Sequence, residues 1–407
     1  MDADERRAVL GASALSFFVR SGFGLILPGL PLYIRAHAIP VPDLGLASAA
    51  YMGLGIAGML LLAPLADRFG AVRALVAGSI LYLAGTTVLL AVPSAAALLA
   101  GRALQGLAMA LTTPASFAYI TAAVAPDRRG TAFGTVASAQ MAGFIVGPSI
   151  GGVALGVGGP AAALSVALGA SVLALVAALS LPRRATGTAP SGREGLSTGN
   201  PWRGFPALLA APWAIAFLAF TIGQQIPFGV YDTVWSLFMF HLGAPTWLVG
   251  ASYATWALPL VILSPLVGRR VPAARVDGWL VLGGFVVAAA AASYGLLHSP
   301  YAVAALGMLE GAGSAAVLPL SNVYLAGRVA AGRMATVQGL VGATGQAAAL
   351  LAAVAAGYGF ELRPWLPFLL ASAGCAAGTA WFWRRGRGRS ASPALPAAGD
   401  ALPRTVS

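Results

Sequence analysis

Residues 143–152 read Gly-Phe-Ile-Val-Gly-Pro-Ser-Ile-Gly-Gly and lie inside an apolar run that extends from 130 to 156. Gly143, Gly147 and Gly151 are four residues apart, so they share one face of a helix. In a membrane, such a glycine face lets a second helix approach closely. Pro148 removes one backbone hydrogen bond and can bend the helix. The stretch therefore predicts a membrane helix that packs tightly against another helix.

The rest of the chain has the same apolar character from end to end. It has 407 residues, of which 58% are hydrophobic and 9% are charged, whereas a soluble domain carries roughly 25% charged residues. So few charges cannot cover a surface that faces water, and lipid must solvate most of it. Apolar runs long enough to cross a bilayer, about 20 residues, recur twelve times. They fall at 8–34, 44–66, 72–92, 95–123, 130–156, 160–181, 207–240, 246–267, 277–297, 301–327, 334–358 and 363–383.

The net charge of +12 does not indicate a nucleic-acid partner, because the arginines lie in short gaps between apolar runs. When alternate gaps are assigned to opposite sides of the bilayer, one side carries only Arg35 and Arg363, and the other carries nearly all the remaining arginines. Arginine-rich loops face the cytoplasm. We therefore expect both termini and the central linker to be cytoplasmic.

These spans predict an all-α integral membrane protein built from two pseudo-symmetric six-helix bundles. Residues 1–181 and 207–383 are expected to form the bundles. Residues 182–206 and 384–407 are rich in glycine, serine, proline and arginine, a composition that cannot bury a core. We expect the first of these segments to be a cytoplasmic linker and the second a disordered cytoplasmic tail.

The two halves resemble each other at an offset of roughly 200 residues. The chain after the second helix reads Ala-Pro-Leu-Ala-Asp-Arg at 63–68, and its counterpart reads Ser-Pro-Leu-Val-Gly-Arg at 264–269. The fourth and tenth helices match at identical spacing, with Gln105-Gly106, Pro114, Ser116 and Tyr119 against Glu310-Gly311, Pro319, Ser321 and Tyr324. Duplicated halves with a site between them are typical of membrane transporters.

Polar side chains form stripes on four of the predicted helices, at the three- and four-residue steps of a helix face. Polar residues inside a membrane are costly, so they normally face a cavity or a partner. The stripes are Ser13, Ser16, Arg20 and Gly24 on helix one; Arg102, Gln105, Met109, Thr112, Ser116 and Tyr119 on helix four; Gln225, Gly229, Asp232 and Ser236 on helix seven; and Glu310, Ser314, Val317, Ser321 and Tyr324 on helix ten.

Each stripe contains one charge at membrane depth, namely Arg20, Arg102, Asp232 or Glu310. These charges either form a structural ion-pair network or take part in substrate and proton binding. Burial disfavours the charged form of a carboxylate, so the two acids are natural proton carriers, and Arg102 could control proton release by approaching and retreating. We hypothesise that Glu310 carries the proton and Asp232 contacts the substrate, and the reverse assignment stays open.

Three stretches resemble motifs of the major facilitator superfamily, and more narrowly of its twelve-helix drug:proton antiporters. Residues 102–106, Arg-Ala-Leu-Gln-Gly, are similar to the RxxQG motif of helix four. Residues 143–152 match the GxxxGPxxGG pattern in full, including Gly152, and this pattern marks exporters in the family. Residues 22–31 resemble the GxxxxxPxxP signature of twelve-helix drug exporters.

Residues 63–70 are also similar to the family's GxLADRxG loop between helices two and three. This copy departs from the pattern, since Ala63 replaces the first glycine and Ala71-Val72 replaces the basic pair. The resemblance implies a conformational latch whose carboxylate lies near a helix N-terminus. Its residues would be Asp67, Arg68, Gly70 and Arg73. A plain charged turn is the alternative.

The resemblance as a whole implies a proton-driven exporter of small amphipathic compounds in the inner membrane, and not an enzyme. Helices one, four, seven and ten would line its central cavity. The expected substrate-cavity residues are Arg20, Gln105, Met109, Thr112, Ser116, Tyr119, Gln225, Asp232, Ser236, Ser314, Ser321 and Tyr324. The expected partners are the lipid bilayer, a small-molecule substrate and protons. No cofactor, metal or nucleic acid is expected, and the protein is expected to be monomeric. A sugar or metabolite transporter of the same fold, importing or exporting, stays open, and a polytopic membrane enzyme or receptor is a remote alternative.

Overall fold

The computed structural model describes residues 3–182, 211–329 and 334–386, without the side chains at 60–69, 273 and 334–336. Within these ranges the chain is helical and contains no strand. Ten of the described helices are long and apolar enough to cross a bilayer. The α-helices are α1 Ala3–Ile26, α2 Leu30–Ala36, α3 Val41–Phe69, α4 Ala71–Ala91, α5 Ala95–Ala123, α6 Arg129–Leu179, α7 Pro212–His241, α8 Thr246–Arg270, α9 Val276–Tyr294, α10 Pro300–Ala326, α11 Met334–Leu362 and α12 Leu366–Gly386.

The first predicted span, 8–34, is divided between α1 and the short helix α2. Pro28 and Pro31 are the physical reason. A proline disfavours helical geometry in the residue before it, and Pro31 occupies the first turn of α2, where its missing N–H costs nothing. The prediction of one continuous first span was therefore wrong.

Helix α6 contains the fifth and sixth predicted spans in one element of 51 residues. Gly158 and Gly159 leave helical geometry between them, and Gly159 has φ 69° and ψ −165°. That conformation is essentially restricted to glycine, so the reversal between the two spans depends on this residue. Counting α6 twice and leaving out α2 gives the twelve crossings that the sequence predicts.

The helices pack as two bundles, α1 to α6 and α7 to α12. Between the bundles, α3 packs against α11 and α6 packs against α8. Each pair joins the second crossing of one half to the fifth crossing of the other, as expected for halves related by duplication. The predicted all-α fold of two six-helix bundles is confirmed.

One end of the assembly is closed, and we call it the far end because the termini of the described chain lie at the other, terminal end. At the far end, a Cβ added to Gly45 of α3 would approach the backbone of Gly357 within 3.4 Å. Ser236 of α7 donates a hydrogen bond of 3.1 Å to the carbonyl of Leu27. In the described part of the chain, the hydrogen bonds between the two bundles are Arg102–Asp232 and Ser236–Leu27, and both lie closer to the far end than to the terminal end. At the terminal end, a Cβ at Gly134 of α6 would meet open space.

Candidate functional site

An ion pair between Arg102 on α5 and Asp232 on α7 connects the two halves. The Nη2 atom of Arg102 lies 3.2 Å from Oδ2 of Asp232, and the two side chains are 0% and 4% exposed. The guanidinium carbon lies 4.5 Å from the ring centre of Tyr51 and 5.3 Å from that of Phe23. Cation–π contacts of this kind are stronger when water is excluded. Two of the four predicted membrane-depth charges therefore neutralise each other across the interface.

A chain of hydrogen bonds orients the Arg102 side chain from within its own half. Arg102 Nη1 donates to Gln105 Oε1 at 3.5 Å, and Gln105 Nε2 donates to Thr86 Oγ1 at 3.2 Å. All three side chains are buried. Arg102 Nε has no hydrogen-bond partner among the described residues, so the interactions of the guanidinium are concentrated on its Nη atoms.

Glu310 is buried in the second half, and no cation in the described part of the chain hydrogen-bonds to it. Its Oε2 accepts a short hydrogen bond of 2.6 Å from the hydroxyl of Tyr294 on α9. The ring of Tyr231 lies 6.0 Å from that of Tyr294. Gln105, the counterpart of Glu310 in the first half, likewise donates a hydrogen bond to a side chain of the preceding helix. Burial and neighbouring aromatics thus replace the arginine contact that the sequence suggested for Glu310.

A small cavity of about 10 Å³, enough for roughly one water molecule, lies in the first half between α1, α5 and α6. It brings together four of the predicted cavity residues with polar and apolar neighbours, and its lining consists of Leu15, Ser16, Val19, Arg20, Met109, Thr112, Thr113, Ser116 and Gln140. Gln140 is absent from the predicted polar stripes, because those stripes were assigned only to helices one, four, seven and ten. A glutamine inside the 130–156 apolar run was the available signal.

The other predicted cavity residues lie in different surroundings. Ser236 lies at the far-end contact, 3.0 Å from the hydroxyl of Tyr253. Tyr324 is buried and stacks on Phe217 at 4.9 Å between ring centres, and the Tyr119 hydroxyl donates to the carbonyl of Pro182. The remaining three are partly buried on the inner helices of the second half, and these are Gln225, Ser314 and Ser321.

The sequence profile of the Major Facilitator Superfamily matches residues 12–276. The chain belongs to this superfamily. It is 34% identical over 141 residues to a multi-drug resistance efflux pump PmrA homolog of Lactococcus lactis. It is 28% identical over 234 residues to multidrug resistance protein 2 of Bacillus subtilis. It is 26% identical over 140 residues to the quinolone resistance protein NorA of Staphylococcus aureus.

These matches span 34%, 54% and 33% of this chain, and 35%, 55% and 35% of the respective relatives. Among solved structures, the nucleoside transporter NupG superposes with a TM-score of 0.73 over 94% of this chain and 100% of that chain. The two sequences are 14% identical, so this likeness concerns the fold alone. The predicted superfamily is confirmed, and the chain is a multi-pass membrane protein of a transporter family.

The glycine motif of this Major Facilitator Superfamily chain makes two different contacts. Gly143, Gly147 and Gly151 face α1, where the added Cβ of Gly147 would lie 2.9 Å from the Cα of Ser21. Gly152 faces the other half, where its Cβ would lie 3.0 Å from the Cα of Gly250 on α8. The face predicted from spacing therefore packs within one bundle, and the residue beside it packs between bundles. Pro148 takes part in both, since it lies against Gly24 of α1 and Gly250 of α8.

The proposed superfamily latch lies at the turn between α3 and α4. Gly70 has φ 90° there, a value that suits glycine, and α4 begins at Ala71. Arg73 is exposed. The side chains of Asp67 and Arg68 lie outside the described residues, so the latch stays a prediction. The predicted linker and tail fall mostly at 183–210 and 387–407, which are also outside the described residues.

Proposed function

We propose that the protein exports small amphipathic compounds across the cell membrane, that an inward flow of protons drives it, and that it works by alternating access. The observation that carries the proposal is the buried Arg102–Asp232 pair between the halves, beside a far end that is closed by direct contacts. A transporter of this kind must break such a closure once in each cycle. The named functions of the relatives from Lactococcus, Bacillus and Staphylococcus support amphipathic drugs as the cargo.

The two membrane-depth acids have surroundings that suit different roles. A proton on Asp232 would remove the charge that pairs with Arg102, so it would weaken the closed far end. Glu310 is bonded to Tyr294 in its own half, and a proton there would change no bond between the halves. The pairing therefore favours Asp232 as the group that couples protonation to opening, which reverses the assignment we hypothesised from the sequence.

Neutral variants of the two acids test this coupling in vesicles. We expect Asp232→Asn to lose uphill efflux of an amphipathic fluorescent dye by at least tenfold while it keeps downhill exchange, because the carrier is gone but the cavity remains. We expect Glu310→Gln to keep both activities at more than half the wild-type rate. The driving force is roughly 2.3 kcal/mol per charge per 100 mV plus the pH gradient. Dye and pH-indicator fluorescence report the two fluxes.

The pattern of losses decides between the alternatives. Loss of uphill efflux in Glu310→Gln alone would return the carrier role to Glu310. Uphill efflux in both variants would contradict proton coupling through carboxylates. Transport of uridine, and of no amphipathic dye, by the wild-type protein would favour a metabolite transporter.

We further propose that both termini and the 182–206 linker face the cytoplasm, as the arginine distribution indicates. We expect a single cysteine at Ser197, in a Cys375→Ala background, to react with a membrane-impermeant maleimide only after the cells are permeabilised. His37→Cys, an exposed far-end position, should react in intact cells and serves as the control. Labelling of Ser197→Cys in intact cells would contradict the orientation.

A further inference from the structure

Arg20 is a membrane-depth cation without an acidic partner among the described residues. It lies within α1 and borders the cavity between α1, α5 and α6. The two acids at membrane depth are engaged elsewhere, Asp232 by Arg102 and Glu310 by Tyr294. No hydrogen bond or ion pair joins Arg20 to any part of the chain that the structure describes.

An arginine at this depth is expensive, because its guanidinium stays charged in a protein. Arginines inside membrane helices are therefore rare, and they face a water-filled cavity or a partner. The stem of Arg20 packs where Gly143 leaves space, since a Cβ at Gly143 would lie 3.1 Å from the Arg20 Cβ. Replacing that glycine would therefore crowd the arginine, and the packing itself needs no positive charge.

The neighbours of Arg20 add hydrogen-bonding groups and apolar surface but no negative charge. Gln140 and Thr113 line the same cavity, and neither side chain has a hydrogen bond within the described ranges. Leu15, Val19 and Met109 supply the apolar part. A cation with free donors beside an apolar wall is complementary to a carboxylate attached to an apolar body, because the planar guanidinium binds a carboxylate through two parallel hydrogen bonds.

We propose that this cavity is a subsite for the carboxylate group of amphipathic substrates, with Arg20 as its anchor. The inference rests on the proposed function, because it names a chemical class among the small amphipathic compounds that the protein would export. A carboxylate oxygen of such a substrate enters the cavity beside Arg20 while the aromatic or aliphatic body lies outside it, so these substrates bind in preference to neutral compounds of the same shape.

A matched pair of probes tests the subsite by binding alone. Purified full-length protein in detergent is titrated with 1-naphthylacetate and with 1-naphthylacetamide, which share their apolar body and differ in charge, and tryptophan fluorescence reports binding. We expect the wild-type protein to bind the carboxylate at least tenfold more tightly. Arg20→Gln should reduce that ratio to about one with the amide affinity unchanged, and Arg20→Lys should fall between the two. Arg35→Gln, the same substitution at an exposed far-end arginine, should keep the wild-type ratio.

Equal affinity of the wild-type protein for the two probes, or no binding of either, would overturn the subsite. A tenfold preference that survives in Arg20→Gln would overturn the role of Arg20. If Arg20→Gln does not give folded protein, the wild-type ratio together with Arg20→Lys decides the question.

Vesicle efflux separates this inference from the proposed function. A carboxylate preference that depends on Arg20, in a protein that moves no amphipathic dye, supports the subsite and contradicts the export function. Dye efflux by a protein that shows no such carboxylate preference supports the export function and contradicts the subsite.

Discussion

Replacing Gly147 by leucine is expected to reduce transport by at least tenfold and to lower the stability of the first bundle. A Cβ at this position would lie 2.9 Å from the Cα of Ser21 and still closer to its carbonyl oxygen. A backbone cannot rotate out of the way as a side chain can, so α1 and α6 must separate. Overpacking of this kind typically costs about 1–3 kcal/mol. Initial efflux rates in vesicles and thermal unfolding in detergent measure the two effects.

Gly169→Leu on the same helix is the matched control, because Gly169 is exposed and a Cβ there would meet open space. It should behave like the wild-type protein. Gly147→Ala should show a partial loss, which keeps the prediction testable if the leucine variant does not fold. Wild-type efflux by a folded Gly147→Leu protein would mean that this contact between α1 and α6 is dispensable.

Removing Arg102 is expected to have the second large effect, on the closed far end. Arg102→Leu leaves Asp232 buried without its partner, and breaking a buried pair in this way costs about 3–5 kcal/mol. The structure that suffers this cost is the closed one, so the far end should open more often. Ser236 is buried in the far-end contact. We expect a cysteine at this position to react with a thiol reagent at least tenfold faster in Arg102→Leu than in the protein that keeps Arg102.

Both proteins carry Cys375→Ala, and His37→Cys should react equally in the two backgrounds because His37 is already exposed. The double variant Arg102→Leu with Asp232→Leu should return the Ser236→Cys rate towards its original value, since no charge is left unpaired. An unchanged rate in Arg102→Leu alone would show that the pair does not hold the far end closed.

The sequence predicted the number of crossings, the duplication and the four membrane-depth charges, because each of these follows from composition or spacing. It could not predict which arginine pairs with which acid. That choice depends on how the two bundles are rotated against each other, and a stripe on one helix carries no information about another helix. Arg102 bonds to Asp232 across the interface, while Arg20 bonds to neither acid in the described structure.

Polar stripes also include residues that do not line the cavity, for a separate reason. A hydroxyl can satisfy its hydrogen bond on its own helix, as Ser321 does with the carbonyl of Val317 at 2.7 Å. Its presence then gives no indication of the side it faces. Tyr324 lies in the predicted stripe of α10 and yet is buried against Phe217. Lipid and protein interior are both apolar, so hydrophobicity alone does not distinguish the two faces of such a helix.

The crossing of α6 over α8 has a mechanical consequence. At Gly152 and Gly250 the two backbones touch with no side chains between them, so a tilt about this point requires no rotamer change there. Gly134 lies on the same helix at the terminal end, roughly 27 Å away at 1.5 Å per residue. A tilt of helix α6 about this contact, which lies near the far end, therefore moves its terminal end the most. A tilt of about 10° moves its Gly134 end by roughly 5 Å over that length, which is comparable to the width of an aromatic ring.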